Sequence, residues 1–378
     1  MTAINKTNYK DIEERLIALT RDLILIPSIP SRPDDRQRCF EFIKNHLESI
    51  EHIEVKEYQK DGFPSLIAAP KGCVHPDILM VGHLDVITHP DISVYRSEIK
   101  EGRIYGPGSG DMKGQLSILI EIFRHIHSLS RDASLAIAVT SDEEVGGESG
   151  IGYLVKEEGI RCNEAMIPDG GGLNRITIEE KGILHLEAVC HGHTAHAARP
   201  WLGQNPIEHL MDQLRRLRTF FDEKKEAGTN WHPTCAVTMI RTENQTINRI
   251  PDSAAAALDV RFPSPYTSRK LLTEINRILG EGIFVNVIIS AEATELSPDP
   301  MYLKMTETVT GLQAKLVKDH GGSDARFLAA FGIPVIISRP TVGNLHAEDE
   351  WIDINSMTAF YQIYEKFLIQ RLKIQGTQ

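Results

Sequence analysis

Short apolar runs that break off into acids and glycines constrain the fold of this chain more than any other feature. Asp77–Val81 runs into GHLDVI, Leu135–Thr140 into SDEEVGG, and Ala165–Pro168 into Asp169 and three glycines. Runs of this length without polar alternation suit strands covered on both faces, and Gln115–Leu129, between the first two, has helical character. Short buried strands alternating with helices specify an α/β protein on a parallel or mixed sheet.

The same rhythm holds towards both ends. Residues 9–26 carry Ile12, Leu16, Leu19 and Leu23 at helical spacing, a second helix is expected around Cys39–Leu47, and strands at Ile53–Tyr58 and Ser65–Ala69. From about residue 295, helices are expected at Tyr302–Leu316, Ala325–Phe331 and Asn355–Leu372, with a strand at Val335–Ser338. Between these regions the pattern changes. The alternating stretch after residue 182 reads as a strand, followed by a helix at Pro206–Lys224, strands at Ala236–Arg241 and Ala254–Arg261, a helix at Ser268–Leu279 and a strand at Ile283–Ile289. That β-α-β-β-α-β order is the ferredoxin-like arrangement. A chain of 378 residues suggests two domains at roughly 150 residues each. The expected layout is a discontinuous domain, residues 1–181 and 295–378, interrupted by a smaller one at 182–294.

Composition limits the partners. With 41 Lys+Arg against 52 Asp+Glu the formal charge is -11, which repels phosphate backbones and anionic lipid, so neither nucleic acid nor membrane is an expected partner. The five cysteines, Cys39, Cys73, Cys162, Cys190 and Cys235, are scattered and never spaced C-x-x-C. That argues against a disulfide framework and against a thiolate zinc site, and it suits a reducing compartment. The first twenty residues mix acids and lysines where a signal peptide needs an apolar core, so a cytoplasmic location is expected. Fifteen histidines are compatible with metal chemistry, although the count alone decides nothing.

Five clusters carry the candidate chemistry. In Gly82-His83-Leu84-Asp85 an extended backbone puts His83 and Asp85 on one face, an imidazole with a carboxylate to orient it. The glycine-rich GPGSGDMKG presents Asp111 at a helix start; it lacks phosphate-loop spacing, and a central aspartate would repel phosphate. Ser141-Asp142-Glu143-Glu144, Pro168-Asp169-Gly170 and Leu345-His346-Ala347-Glu348-Asp349-Glu350 complete the set. Each has an ordinary reading as a cap, a turn or a solvated loop. Together, two histidines and several carboxylates, four of the five clusters following strand ends, are what a two-metal hydrolase needs; oxygen and imidazole donors suit Zn²⁺, with Co²⁺ or Mn²⁺ as substitutes.

The ordered set GHLDV, GSGDMKG, SDEEVGG, PDGG, GHTAHAARP, NRIPDSAAAALDVRF, GGSDARF and LHAEDEW resembles the M20 metallopeptidase family, and spans residues 80–353. That family includes acetylornithine deacetylase, succinyl-diaminopimelate desuccinylase, aminoacylase-1 and glutamate carboxypeptidase. The resemblance implies a mixed-sheet zinc-exopeptidase-like catalytic domain, with residues 182–294 as an inserted lid and dimerisation domain. It implies that Asp111 bridges two metals, that His83 and Asp169 complete one ligand set, and that Glu144 and His346 complete the other. Asp85 would orient His83, and Glu143 would be the general base. The bond Asp111–Met112 would be cis. His196 would reach a partner subunit's site and hold the oxyanion, while Asn248, Arg261 and Arg326 would hold substrate; for Arg326 a structural ion pair with Asp324 is an equal alternative. His191 and His193 read as strand-surface residues. Where the family often has two glycines after its motif lysine, this chain has Gly114-Gln115, a difference that concerns helix packing.

The implied function is a dinuclear-zinc hydrolase cleaving the amide of an N-acyl amino acid, as a homodimer. A carboxypeptidase or dipeptidase is the rival within the family, and a non-catalytic binder of amino-acid-like ligands the rival outside it. Retention of Glu143, which ligates no metal in this scheme, argues for catalysis.

Overall fold

The computed structural model describes residues 8–374. The chain divides into two compact units, one comprising Met1–Ile178, Glu295–Asp319 and Ser323–Gln378, the other Glu179–Thr294 with His320–Gly322. The sequence did not mark the short return of His320–Gly322 to the second unit.

The first unit is built on a mixed sheet. Its strands run in the spatial order Ile53–Lys60, Phe63–Pro70, Leu135–Thr140, Ile78–His83, Glu164–Ile167, Val335–Ile337, Arg175–Glu180 and Thr294–Glu295, with Lys315–Asp319 also beside Arg175–Glu180. The first two form a hairpin whose turn is Asp61-Gly62, both at positive φ (52° and 82°), as a two-residue hairpin turn requires. The central strands Leu135–Thr140, Ile78–His83, Glu164–Ile167 and Val335–Ile337 are parallel neighbours and wholly buried. This is why their sequences show no polar alternation.

Helices Tyr9–Ile24, Gly114–Leu129, Pro300–Thr310 and Ile354–Arg371 contribute to the larger core, which includes Leu16, Leu23, Phe123, Tyr302 and Phe360. A smaller core around Leu154, Val155, Phe327 and Ile337 includes side chains of alternate strand residues such as Leu79 and Val81. Among the described residues, no helix is long and apolar enough to cross a membrane.

Three expectations needed revision. The second helix starts at Pro33 rather than near Cys39, because Pro33 suits a first helical position and the polar turn after it masks the periodicity. The helix expected at Tyr302–Leu316 stops at Thr310, where Gly311 adopts a left-handed φ of 67°, and Lys315–Asp319 continues as a strand. A small sheet of Val342–Gly343, Trp351–Asp353, Arg103–Tyr105 and Glu98–Lys100 was not foreseen, its strands being only two or three residues long.

The second unit contains Gly182–His191, Pro206–Asp222, Thr234–Arg241, Ser253–Phe262, Ser268–Leu279 and Ile283–Ala291 in β-α-β-β-α-β order. Its sheet is antiparallel, with Ser253–Phe262 and Gly182–His191 central and the other two strands at the edges. Ser253–Phe262 buries every second residue, and Ala254, Ala256, Leu258, Val260 and Phe262 share a core with Leu210 and Leu217 of one helix and Leu271 and Ile275 of the other.

Candidate metal centre

Parallel register puts the candidate donors at one sheet edge. His83 lies beside Thr140, and Met80 beside Met166, so His83, the turn after Thr140 and Asp169 all leave the carboxyl ends of three adjacent strands. Asp111 comes from the glycine-rich segment before the Gly114–Leu129 helix, through a cis Asp111–Met112 bond, as the resemblance implied. His346 sits in a loop where both Asn344 (φ 52°) and His346 (φ 63°) are left-handed, which turns the imidazole back towards Asp111.

The donors fall into two groups, His83 with Glu143 and Asp169, and Asp111 with Glu144 and His346; within each, one donor atom per residue lies within 4.8 Å of the others. Asp111 joins them. Its Oδ1 is 3.3 Å from His83 Nε2, and its Oδ2 is 3.3 Å from His346 Nε2, which is also 3.6 Å from Glu144 Oε2.

Asp85 lies fully buried behind this edge. The Asp85 carbonyl oxygen is 3.0 Å from His83 Nδ1, and the Asp85 carboxylate oxygen Oδ1 is 3.5 Å away. With the proton placed on Nδ1, Nε2 carries a lone pair that faces the lone pairs of Asp111 Oδ1, and it has no hydrogen-bond partner. Glu144 Oε1 is likewise buried without a partner. Acceptors facing acceptors call for a cation, and imidazole with carboxylate oxygens is a donor set suited to Zn²⁺. The residues present therefore fit a metal pair.

The electrostatics agree. Burial, reinforced by the neighbouring Asp111 charge, pushes the Glu144 carboxyl up to about 8 and Asp169 to about 6. Burial also carries Glu143 well above the carboxylate range. His346 is raised to about 9, chiefly by its hydrogen bond to Asp111. For His83, burial works against the charged ring, but the facing carboxylates of Asp111 and Asp85 hold it well above its usual value. Buried carboxylates that cannot all stay ionised are a site short of positive charge, and metal ions would take the place of these protons.

The supporting contacts were only partly legible in the sequence. The Asp85 carboxylate accepts the amides of Glu143 (3.3 Å) and Glu144 (3.0 Å), a further task besides facing His83. Glu350, quoted in LHAEDEW without a role, is buried and accepts the amides of Gly108 (3.0 Å) and Gly110 (2.6 Å), while its carbonyl accepts Gly106 N–H (2.9 Å). It fastens the loop of His346 to the loop of Asp111. Asp142 accepts the amides of Ser149 and Gly150 (2.8 and 2.9 Å), and Lys113 is fully buried, donating from Nζ to the carbonyls of Leu23 and Ile26. A buried acid or lysine inside a motif is the available signal, but its partner cannot be read from spacing.

Arg326 gives Nη1 to the Ser323 carbonyl (3.1 Å) and Nη2 to the Gly146 carbonyl (2.6 Å), so a substrate carboxylate would have to share or displace those contacts. In the second unit, Arg261 pairs through Nε and Nη2 with both oxygens of Asp259 (2.7 and 3.1 Å). His196 and Asn248 are exposed; His196 Nδ1 accepts Ala198 N–H, and the Asn248 carbonyl accepts Ala197 N–H. His191 is exposed against Phe284, and His193 is exposed and makes a single bridge with Gln204.

A mixed sheet with two histidine–carboxylate groups at its carboxyl edge defines a metal-dependent hydrolase. The chain belongs to Peptidase family M20/M25/M40, which it matches over residues 79–370. It is 27% identical over 366 residues to succinyl-diaminopimelate desuccinylase of Anaplasma marginale, covering 90% of this chain and 93% of that one. The enzyme of the same name from Gluconacetobacter diazotrophicus is 28% identical over 317 residues, 78% of this chain and 80% of that one. Among solved structures, an M20 family metallo-carboxypeptidase from Sulfolobus solfataricus shares the fold at a TM-score of 0.79 and 18% identity, covering 95% of this chain and 99% of its own. A tripeptidase from Staphylococcus aureus does so at 0.76 and 18%, covering 96% and 99%.

Proposed function

We propose that this chain is a dinuclear-zinc amidohydrolase that cleaves the amide of an N-acyl amino acid, in the manner of a desuccinylase. The observation that carries the reading is Asp111, whose two oxygens each face a different histidine at 3.3 Å. In this reading Asp111, His83, Asp169, Glu144 and His346 would hold the two ions, with Co²⁺ or Mn²⁺ as substitutes. When bound, the ions polarise the scissile carbonyl and lower the pKa of the attacking water.

The chain's own residues do the rest. Glu143 takes a proton from the attacking water and passes it to the leaving nitrogen, from a position beside His83 and Asp169. Asp85 fixes the ring of His83 and the turn that carries Glu143 and Glu144. His196 supplies the oxyanion donor from a partner subunit, with Asn248, Arg261 and Arg326 contributing to substrate binding. The second unit serves as lid and dimerisation domain. Its edge strand Thr234–Arg241 leaves Val237, Met239 and Ile240 about half exposed, an edge suited to self-association. A cytoplasmic setting fits free cysteines at all five positions.

The test is hydrolysis of N-succinyl and N-acetyl amino acids against dipeptides, in zinc- or cobalt-supplemented buffer, with a chelator control. Chelator-sensitive cleavage of the acyl amino acids is expected. Cleavage of dipeptides alone would replace the deacylase reading by an exopeptidase one, and no cleavage by metal-loaded protein would favour a binding protein.

A further inference from the structure

Four buried or half-buried cations lie around the acid cluster of the first unit, and in three the terminal nitrogens are engaged with its scaffold, although Arg36 Nε is itself buried without a partner. Arg36 donates to the carbonyls of Pro30 and Gly62 and lies over the ring of Phe63, Lys113 donates to Leu23 and Ile26, and Arg326 to Ser323 and Gly146. Arg339 differs. Its side chain is 16% exposed, it lies 3.8 Å from Asp169 Oδ1, too far for a hydrogen bond, and its Nε is buried without a partner. Among the described residues, no hydrogen bond from its guanidinium is found.

Its position is not incidental. Val335–Ile337 is parallel to Glu164–Ile167, with Ile337 beside Ile167, so Arg339 and Asp169 each stand two residues past the end of neighbouring strands. That is the carboxyl edge of the sheet, where ligands bind in such folds. A guanidinium presents five donors in a planar fork that matches a carboxylate, and leaving them unsatisfied in a half-buried site is unfavourable. Asp169, 3.8 Å away and offering one oxygen to a metal, would leave at most one oxygen for a fork of five donors. What fits is a second, external carboxylate.

We infer that Arg339 is the specificity-determining residue that receives a carboxylate of the substrate beside the metal centre. This rests on the amidohydrolase reading above. It sets Arg339, with its donors open, ahead of Arg326, whose two Nη groups are already engaged. Phosphate is less suited, since the fork lies beside Asp169, itself grouped with Glu143, and these acids would repel a doubly charged group.

The experiment compares an N-acyl amino acid with its α-carboxamide, and an N-succinyl amine with its succinamide counterpart, on zinc-loaded wild-type, Arg339→Gln and Arg339→Lys proteins. Bound zinc per chain is measured in each. The preference for acid over amide, as a ratio of kcat/KM, should fall about 100-fold in Arg339→Gln for the pair whose carboxylate is read, and less in Arg339→Lys, with zinc unchanged. An unchanged ratio, or loss of zinc from Arg339→Gln, would overturn the inference and leave Arg339 as a support for Asp169. Should wild-type protein cleave none of these substrates, the activity reading fails. Calorimetric binding of succinate and of a free amino acid then decides separately, binding lost in Arg339→Gln supporting the inference and equal or absent binding sinking it.

Discussion

The carboxylate of Asp85 accepts the backbone N–H of Glu144 at 3.0 Å, from full burial behind the metal-facing edge. One side chain thus orients an imidazole and also holds the turn that carries two carboxylates. Asp85→Ala should weaken zinc binding about 10- to 100-fold, as loss of such supporting partners does. Asp85→Asn, which keeps one acceptor oxygen, should lie between. Competition against a chelating dye measures both, and zinc affinity unchanged in Asp85→Ala would refute this role.

Glu143 lies within reach of His83 and Asp169, so it could be a ligand as well as a base. If it is the base, Glu143→Gln keeps its zinc and loses about 10²- to 10⁴-fold in kcat. Metal analysis beside steady-state kinetics separates the roles, because a ligand would lose metal together with rate.

Lys113 holds a different part of the fold. Its Nζ is 2.9 Å from the Leu23 carbonyl and 2.5 Å from that of Ile26, where the Tyr9–Ile24 helix ends. Lys113→Met removes two buried charge-assisted hydrogen bonds, leaving the Leu23 and Ile26 carbonyls only the backbone N–H of Ile26 and of Ser28, and should destabilise the protein by about 2–4 kcal/mol. Urea unfolding would show it as a lower midpoint at unchanged slope.

His127 gives a pH dependence away from the metal centre. Burial lowers its pKa from 6.5 to about 4 and favours the neutral ring, outweighing the Leu135 carbonyl, 3.2 Å from Nε2, which pulls the other way. Between those values the unfolded chain binds a proton that the folded protein refuses, so stability falls as pH drops from 6.5 towards 4. Against His127→Leu, the wild type should lose about 2 kcal/mol more between pH 7 and 4.5. Parallel stability curves for the two proteins would contradict the assignment.

His196 has an independent genetic test. If it acts across subunits, mixing inactive Glu143→Gln and His196→Ala chains after reversible dissociation creates one intact site per heterodimer. Activity should return to about a quarter of wild type, half the dimers being mixed with one of two sites complete. No recovery from a mixture shown to exchange subunits would place His196 in its own chain's site or outside the site.

Much of the centre was legible because the chemistry sits where the apolar runs stop. A strand buried on both faces is apolar nearly throughout, so the acids and histidines at its end mark the sheet edge, as His83, Glu143, Glu144 and Asp169 do. Asp111 and His346 were legible by residue type and by family resemblance, but not by local pattern, since their loops follow no regular period. Tyr302–Thr310 could not be bounded well either, because the switch to strand at Lys315 depends on pairing with Arg175–Glu180.

The sequence by itself determined the strands, most of the helices and the residue types gathered at the edge, because burial on one face or two writes a period into the chain. Only the tertiary structure decided which polar groups meet. Glu350 finds the amide of Gly108 from 242 positions away, and Arg339 stands open beside Asp169 while Arg326 is bound to backbone carbonyls. Hydrogen bonds are settled by distances of about 3 Å in space, and sequence spacing carries that information only within a single helix or strand.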